Sequence, residues 1–134
     1  MIEYPIPSDI ARTPLPFSPA TKVGNLLFVS GQASTDADGN IVSDTLENEF
    51  HRTMQNIHKI LRAAGTDLAH VCQIRGYLKN SDDFPRYNEL YREYFKPPIP
   101  PAQQSATAWG RCWWKLTASR LWNKRTSNGF NTYA

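Results

Sequence analysis

The chain has 134 residues and a formal net charge of +3, a length that suits one domain burying about two-thirds of its unfolded surface. No run approaches the roughly 20 apolar residues of a membrane span, and the first 19 residues carry five prolines where a signal peptide would need an apolar stretch. Two cysteines, Cys72 and Cys112, without an export signal read as reduced thiols, so a cytoplasmic location is expected.

The net charge hides a division. Residues 1–95 hold nine Lys/Arg against all twelve Asp/Glu, whereas residues 96–134 hold six Lys/Arg, no acid and all four tryptophans. Composition changes at the proline cluster from Lys96 to Pro101. The chain is therefore expected to consist of a domain over residues 1–102 and an atypical basic, Trp-rich segment over 103–134.

In chain order, Met1 to Pro19 is too rich in proline for a regular element. Ala20–Val23 and Leu26–Ser30 read as a hairpin turned by Gly24-Asn25. The apolar run Leu26-Leu27-Phe28-Val29 predicts a short strand buried on both faces. It ends at Ser30-Gly31-Gln32, which places a hydroxyl, a bare backbone and an amide at one mouth. That is either a binding corner or an ordinary strand ending. Asp36 to Asn40 is a loop whose Gly39-Asn40 turns into Ile41-Val42.

Asp44 to Ala64 is the clearest helix. Leu46, Phe50, Met54, Ile57 and Leu61 line one face, Asp44 with Glu47 makes a capping-box-like start, and Gly65 stops it. His51 and His58 lie two turns apart, about 10 Å of rise, too far for one metal, and read as solvated. Val71 to Lys79 predicts a strand with Cys72, Ile74 and Leu78 on one face and Gln73, Arg75 and Tyr77 on the other. Cys72 is then a small core residue with no paired base. Asn80 to Phe95 predicts a second helix, with Asp82, Asp83 and Pro85 at its start and Phe84, Tyr87, Tyr91 and Tyr94 as an aromatic face. Asn88 sits at the seam of that face. Hairpin, helix, strand, helix is an α+β order, with helices layered on one face of a sheet.

These residues also carry a resemblance. Pro16-Phe17-Ser18-Pro19-Ala20, Val29-Ser30-Gly31-Gln32, the helix from Asp44 to Gly65, and Arg86-Tyr87-Asn88-Glu89-Leu90-Tyr91 with Phe95 resemble, in the same order, the Rid proteins, also called YjgF or L-PSP. The likeness covers roughly residues 14–102. It implies a chorismate-mutase-like mixed β-sheet with two helices on one face, and a homotrimer with ligand sites between subunits. It also implies hydrolysis of 2-imino acids to 2-keto acids and ammonia without metal or cofactor. Carried over by position, Phe17, Ser30, Gly31, Asn88 and Gln103 are the expected substrate-binding residues. Phe17 stands where the family often has tyrosine.

Two departures matter. The family's carboxylate-holding arginine belongs to a Pro-Ala-Arg motif, and this chain reads Pro101-Ala102-Gln103. The family's glutamate belongs to a late strand, and no acid follows Glu93. No catalytic residue is therefore retained by position. Loss of the charged fork at the carboxylate weakens binding roughly ten- to hundredfold, and loss of a general acid/base group costs ~10²–10⁴ in rate.

The genetic code offers an origin for the tail. Taking the last base of each codon with the first two of the next, Cys112-Trp113 must give Leu, Trp113-Trp114 Val and Trp114-Lys115 Glu. Lys115-Leu116 then permits only Ile, Val, Thr or Ala, and Leu116-Thr117 permits Asp. The shifted frame spells the family's missing strand, so the segment after about Ala102 reads as out-of-frame. The shift does not restore arginine at position 103. As written, residues 112–119 still alternate in a strand-like pattern, and Asn123 to Ala134 reads as disordered.

Three functions follow as expectations. The first is a weakened Rid-type imine deaminase with a small imino or keto acid as ligand. The second is a non-catalytic binder of small carboxylates. The third is an RNA-binding or RNA-cleaving protein whose basic, aromatic tail tracks phosphates and stacks bases.

Overall fold

Gly24 adopts φ 55, a left-handed conformation that glycine enters without a Cβ clash. It turns β2 (Ala20–Val23) back antiparallel onto β3 (Leu26–Val29), with Ala20 opposite Val29 and Val23 opposite Leu26. The hairpin is the predicted one. This computed structural model describes residues 1–9, 16–100, 102–106 and 116–118. A short edge strand, β1 (Ile2–Glu3), pairs with β2, so the proline-rich start does hold one regular element. Both residues precede the first proline, so their N–H groups remain free to pair.

The helix α1 runs from Leu46 to Ala63 and buries Phe50, Met54, Ile57, Ile60 and Leu61, the face that the periodicity predicts. Its cap lies one residue beyond the expected Asp44. Thr45 accepts the Asn48 N–H, while Asp44 precedes the cap and receives the Thr45 N–H at 2.7 Å and the Asn48 amide at 3.0 Å. Gly65, at φ 80, ends the helix.

The strand β4 is shorter than predicted, Ile74–Leu78, and Cys72 lies before it and is exposed. The expectation of a core cysteine is corrected: the alternation that would bury it has not begun. A single 3₁₀ turn over Ser81–Asp83 leads into α2 (Phe84–Tyr94), with Pro85 in the first turn. Tyr87, Leu90 and Tyr91 are buried and Phe84 and Tyr94 pack at the margin. His51 is half-buried, its Nδ1 2.6 Å from the Tyr94 hydroxyl. Only His58 is exposed as expected of both, because α2 packs beside α1 and supplies His51 with a partner.

Parallel pairing joins β4 to β5 (Ala102–Ala106), and antiparallel pairing joins β4 to β6 (Leu116–Ala118), which lies next to β3. The sheet pairing is thus mixed, with the crossover through α2 linking the parallel pair. Of the strand predicted over 112–119, Leu116–Ala118 falls within the described residues. The end from Asn123 to Ala134 lies outside them.

Burial shows which face the helices cover. Leu27 and Val29 are buried, but Leu26 is 43% and Phe28 50% exposed. The expectation that this strand is buried on both faces is corrected, because a single helical layer covers one side only. Ile74, Gly76 and Leu78 likewise point to the core, and Arg75 is exposed.

Glu49 is a carboxyl in that core, 1% exposed, and its Oε1 accepts the Asp44 N–H at 2.7 Å. Burial pushes its pKa above the ordinary 4.5, against the lowering effect of that hydrogen bond. Its folded form therefore holds a proton longer than its unfolded form. The associated stability is complete below pH 4.5 and falls as pH rises through the raised pKa. Glu49→Gln, neutral at all pH, should gain on the native chain in urea midpoint as pH rises above 4.5. A gap that stays flat with pH would count against the charge penalty.

Candidate functional site

The corner at the end of β3 is built by backbone and short side chains. The Ser30 N–H donates to the Pro19 carbonyl at 2.8 Å, and the Ser30 hydroxyl donates to the Ser18 carbonyl at 2.6 Å. Gln32 returns its amide to the Ser30 carbonyl at 3.1 Å. The segment Phe17-Ser18-Pro19 is thereby tied beside Ser30-Gly31, with the Phe17 side chain 55% exposed and Gly31 half-buried.

The loop that follows is strapped to α1. Asn56 donates to the Ala33 carbonyl at 3.2 Å and to the Thr35 hydroxyl at 2.8 Å. Arg52 donates to the Ser34 hydroxyl at 2.8 Å and pairs with Asp44 at 3.2 Å. The Asn48 amide, the Thr45 N–H and Arg52 together hold the Asp44 carboxyl below its ordinary range. Arg52 and Asn56 were not singled out from sequence, since polar residues at helical spacing read as a solvated face. Their polar partners lie far off in the chain.

Phe17, Ser30 and Gly31 are thus brought together. Asn88 stands half-buried on α2. Gln103 lies in β5, in register with Arg75 of β4. The Tyr91 hydroxyl, its pKa pushed up to about 12 by burial, donates to the Pro100 carbonyl at 3.3 Å and fastens α2 to the segment leading into β5. Among the described residues no three His, Cys, Asp or Glu side chains form a metal-binding group.

Ser30→Ala removes the hydroxyl that holds the Phe17–Pro19 segment. The expected loss is about 1 kcal/mol in urea unfolding, with faster amide exchange at Ser30. Unchanged exchange would show that the hydroxyl does not hold the corner.

Comparison with known proteins places this architecture. Residues 10–108 match the family described as endoribonuclease L-PSP. The chain belongs to that family, the YjgF/Rid proteins. Among the similar proteins, the Schizosaccharomyces pombe protein mmf2, mitochondrial, is 36% identical over 100 residues, 75% of this chain and 79% of its own. A RutC family protein of Pyrococcus abyssi is 43% identical over 81 residues, and the match spans 60% of this Rid chain and 64% of that protein. A Dermatophagoides farinae protein named 2-iminobutanoate/2-iminopropanoate deaminase is 30% identical over 101 residues, 70% of this chain and 79% of its own. The crystal structure of a putative endoribonuclease from Thermotoga maritima superposes with a TM-score of 0.83 at 29% identity, covering 90% of this chain and 98% of the other. The fold is therefore the α+β fold that the sequence motifs imply, the Rid fold.

Proposed function

We propose that this Rid chain binds small 2-imino acids and hydrolyses them to 2-keto acids and ammonia, slowly compared with relatives that keep the arginine and glutamate. In the reaction water adds to the imine carbon, the C–N bond breaks, and nitrogen leaves as ammonia with the protons supplied by water. The Ser30-Gly31 corner, with the exposed Phe17 carried beside it by the tied Ser18-Pro19 backbone, offers an aromatic side chain and backbone groups to a ligand. The observation that carries the reading is the likeness to proteins named for this reaction, combined with the Phe17, Ser30 and Gly31 cluster at one mouth. Asn88 and Gln103 are proposed as further lining residues, contributed in an assembled homotrimer.

The open sheet face supports assembly. Ile2, Val23, Leu26 and Phe28 are all more than two-fifths exposed, and apolar faces of this kind mark association surfaces. Sedimentation of the native chain and of Phe28→Asp tests it: a trimer that the substitution dissociates is expected, and a native monomer would remove this part of the proposal.

The activity test couples an amino-acid oxidase, which generates the imine, to detection of keto acid in excess of the spontaneous rate. Accelerated release is expected. Keto-acid binding with no acceleration would move the reading to a non-catalytic carboxylate binder, which the residue at position 103 favours. The family description and the Thermotoga relative's name favour an RNA reading as the second possibility. RNA binding that persists at high salt, with cleavage, would support it, since attraction by a basic tail alone fades with salt.

A further inference from the structure

We propose that Arg75 is the carboxylate anchor of this chain, taking over from the arginine that is missing at position 103. The inference rests on the imino-acid reading above. The alternation along β4 puts Ile74, Gly76 and Leu78 into the core and leaves Arg75 exposed on the face away from the helices. The described residues on that face of the neighbouring hairpin are Thr21, Val23, Leu26 and Phe28, with Ile2 in register with Val23. No carboxylate stands among them.

Arg75 makes no hydrogen bond or ion pair with any of the described residues, whereas Arg52 and Arg86 are held by Asp44, Glu47 and Glu89. A guanidinium set on an apolar face without an acid is chemically incomplete there. If that face is closed by further copies of the chain, the charge leaves water and needs an anion all the more.

The strand pairing supplies the location. Arg75 is the in-register partner of Gln103 on β5 and of Thr117 on β6. Positions paired across strands belong to one face and stand about 4.8 Å apart, a displacement that a long side chain spans. An arginine at 75 can therefore serve a ligand that an arginine at 103 would serve. Its planar fork matches the two oxygens of a carboxylate, which neither an amide nor a point charge does as well. Discrimination follows: a 2-keto or 2-imino acid is held, and the corresponding ester is not.

Titration of the full chain with 2-oxobutanoate and with its methyl ester tests this. Arg75→Met keeps the apolar stem and should weaken binding of the acid roughly ten- to hundredfold while leaving the ester unchanged. Arg75→Lys should recover part of the loss, and Gln103→Arg placed on Arg75→Met should recover most of it. Acid binding that is unaltered in Arg75→Met, with a native circular dichroism spectrum, would overturn the assignment and leave the imino-acid reading standing. Failure of the native chain to bind the acid at all would overturn both.

Discussion

Phe50→Ala should cost about 3–5 kcal/mol, a large share of the roughly 5–15 kcal/mol that holds a domain together. Phe50 is 0% exposed and is the ring on which the two helices meet. Its centroid lies 5.5 Å from that of Tyr87 at 71°, and 5.5 Å from that of Tyr94 at 46°. Removing it empties a space bounded by side chains that are themselves tied: Tyr94 to His51, and Tyr87 against Tyr91 at 6.0 Å. Collapse into the space is restricted, which puts the cost toward the upper end of the range. Thermal unfolding at fixed protein concentration should show a midpoint lower by roughly 10–20 °C. A shift of a degree or two would mean that the helices repack without the ring.

Gly76→Val should cost about 3 kcal/mol from overpacking. A Cβ on Gly76 would lie 2.6 Å from the Tyr87 hydroxyl oxygen and 3.1 Å from the ring carbon that bears it. Tyr87 is fully buried and its ring is wedged between Phe50 and Tyr91, so it cannot swing aside cheaply. The hydroxyl is the nearest obstacle, and that makes the test specific. In the Tyr87→Phe background the penalty of Gly76→Val should shrink by at least about 0.5–1 kcal/mol, read as non-additive urea midpoints. Additive losses would place the strain in the backbone of β4 instead.

The contrast between these sites and the open face explains how the chain divides its apolar residues. Phe50 and Phe28 are the same side chain, yet one holds the domain together and the other is half exposed. By composition they cannot be told apart. Similarly, Cys72 and Ile74 are two apart and would share a face of any strand that contained both. The strand begins at Ile74, so only the second enters the core.

Local chemistry was enough to specify the hairpin turn at Gly24, the core face of α1, the stop at Gly65, the aromatic face of α2 and the α+β order. Each depends on residues within a few positions of one another. The motifs around Phe17, Ser30 and Asn88 were enough for the family. Other features depended on pairings between distant segments: which face of β3 stays open, the straps from Arg52 and Asn56, and the register that sets Arg75 beside Gln103. Periodicity reports which residues share a face, but burial and partnership are decided by what packs against that face, and that information resides in contacts between segments far apart in the chain.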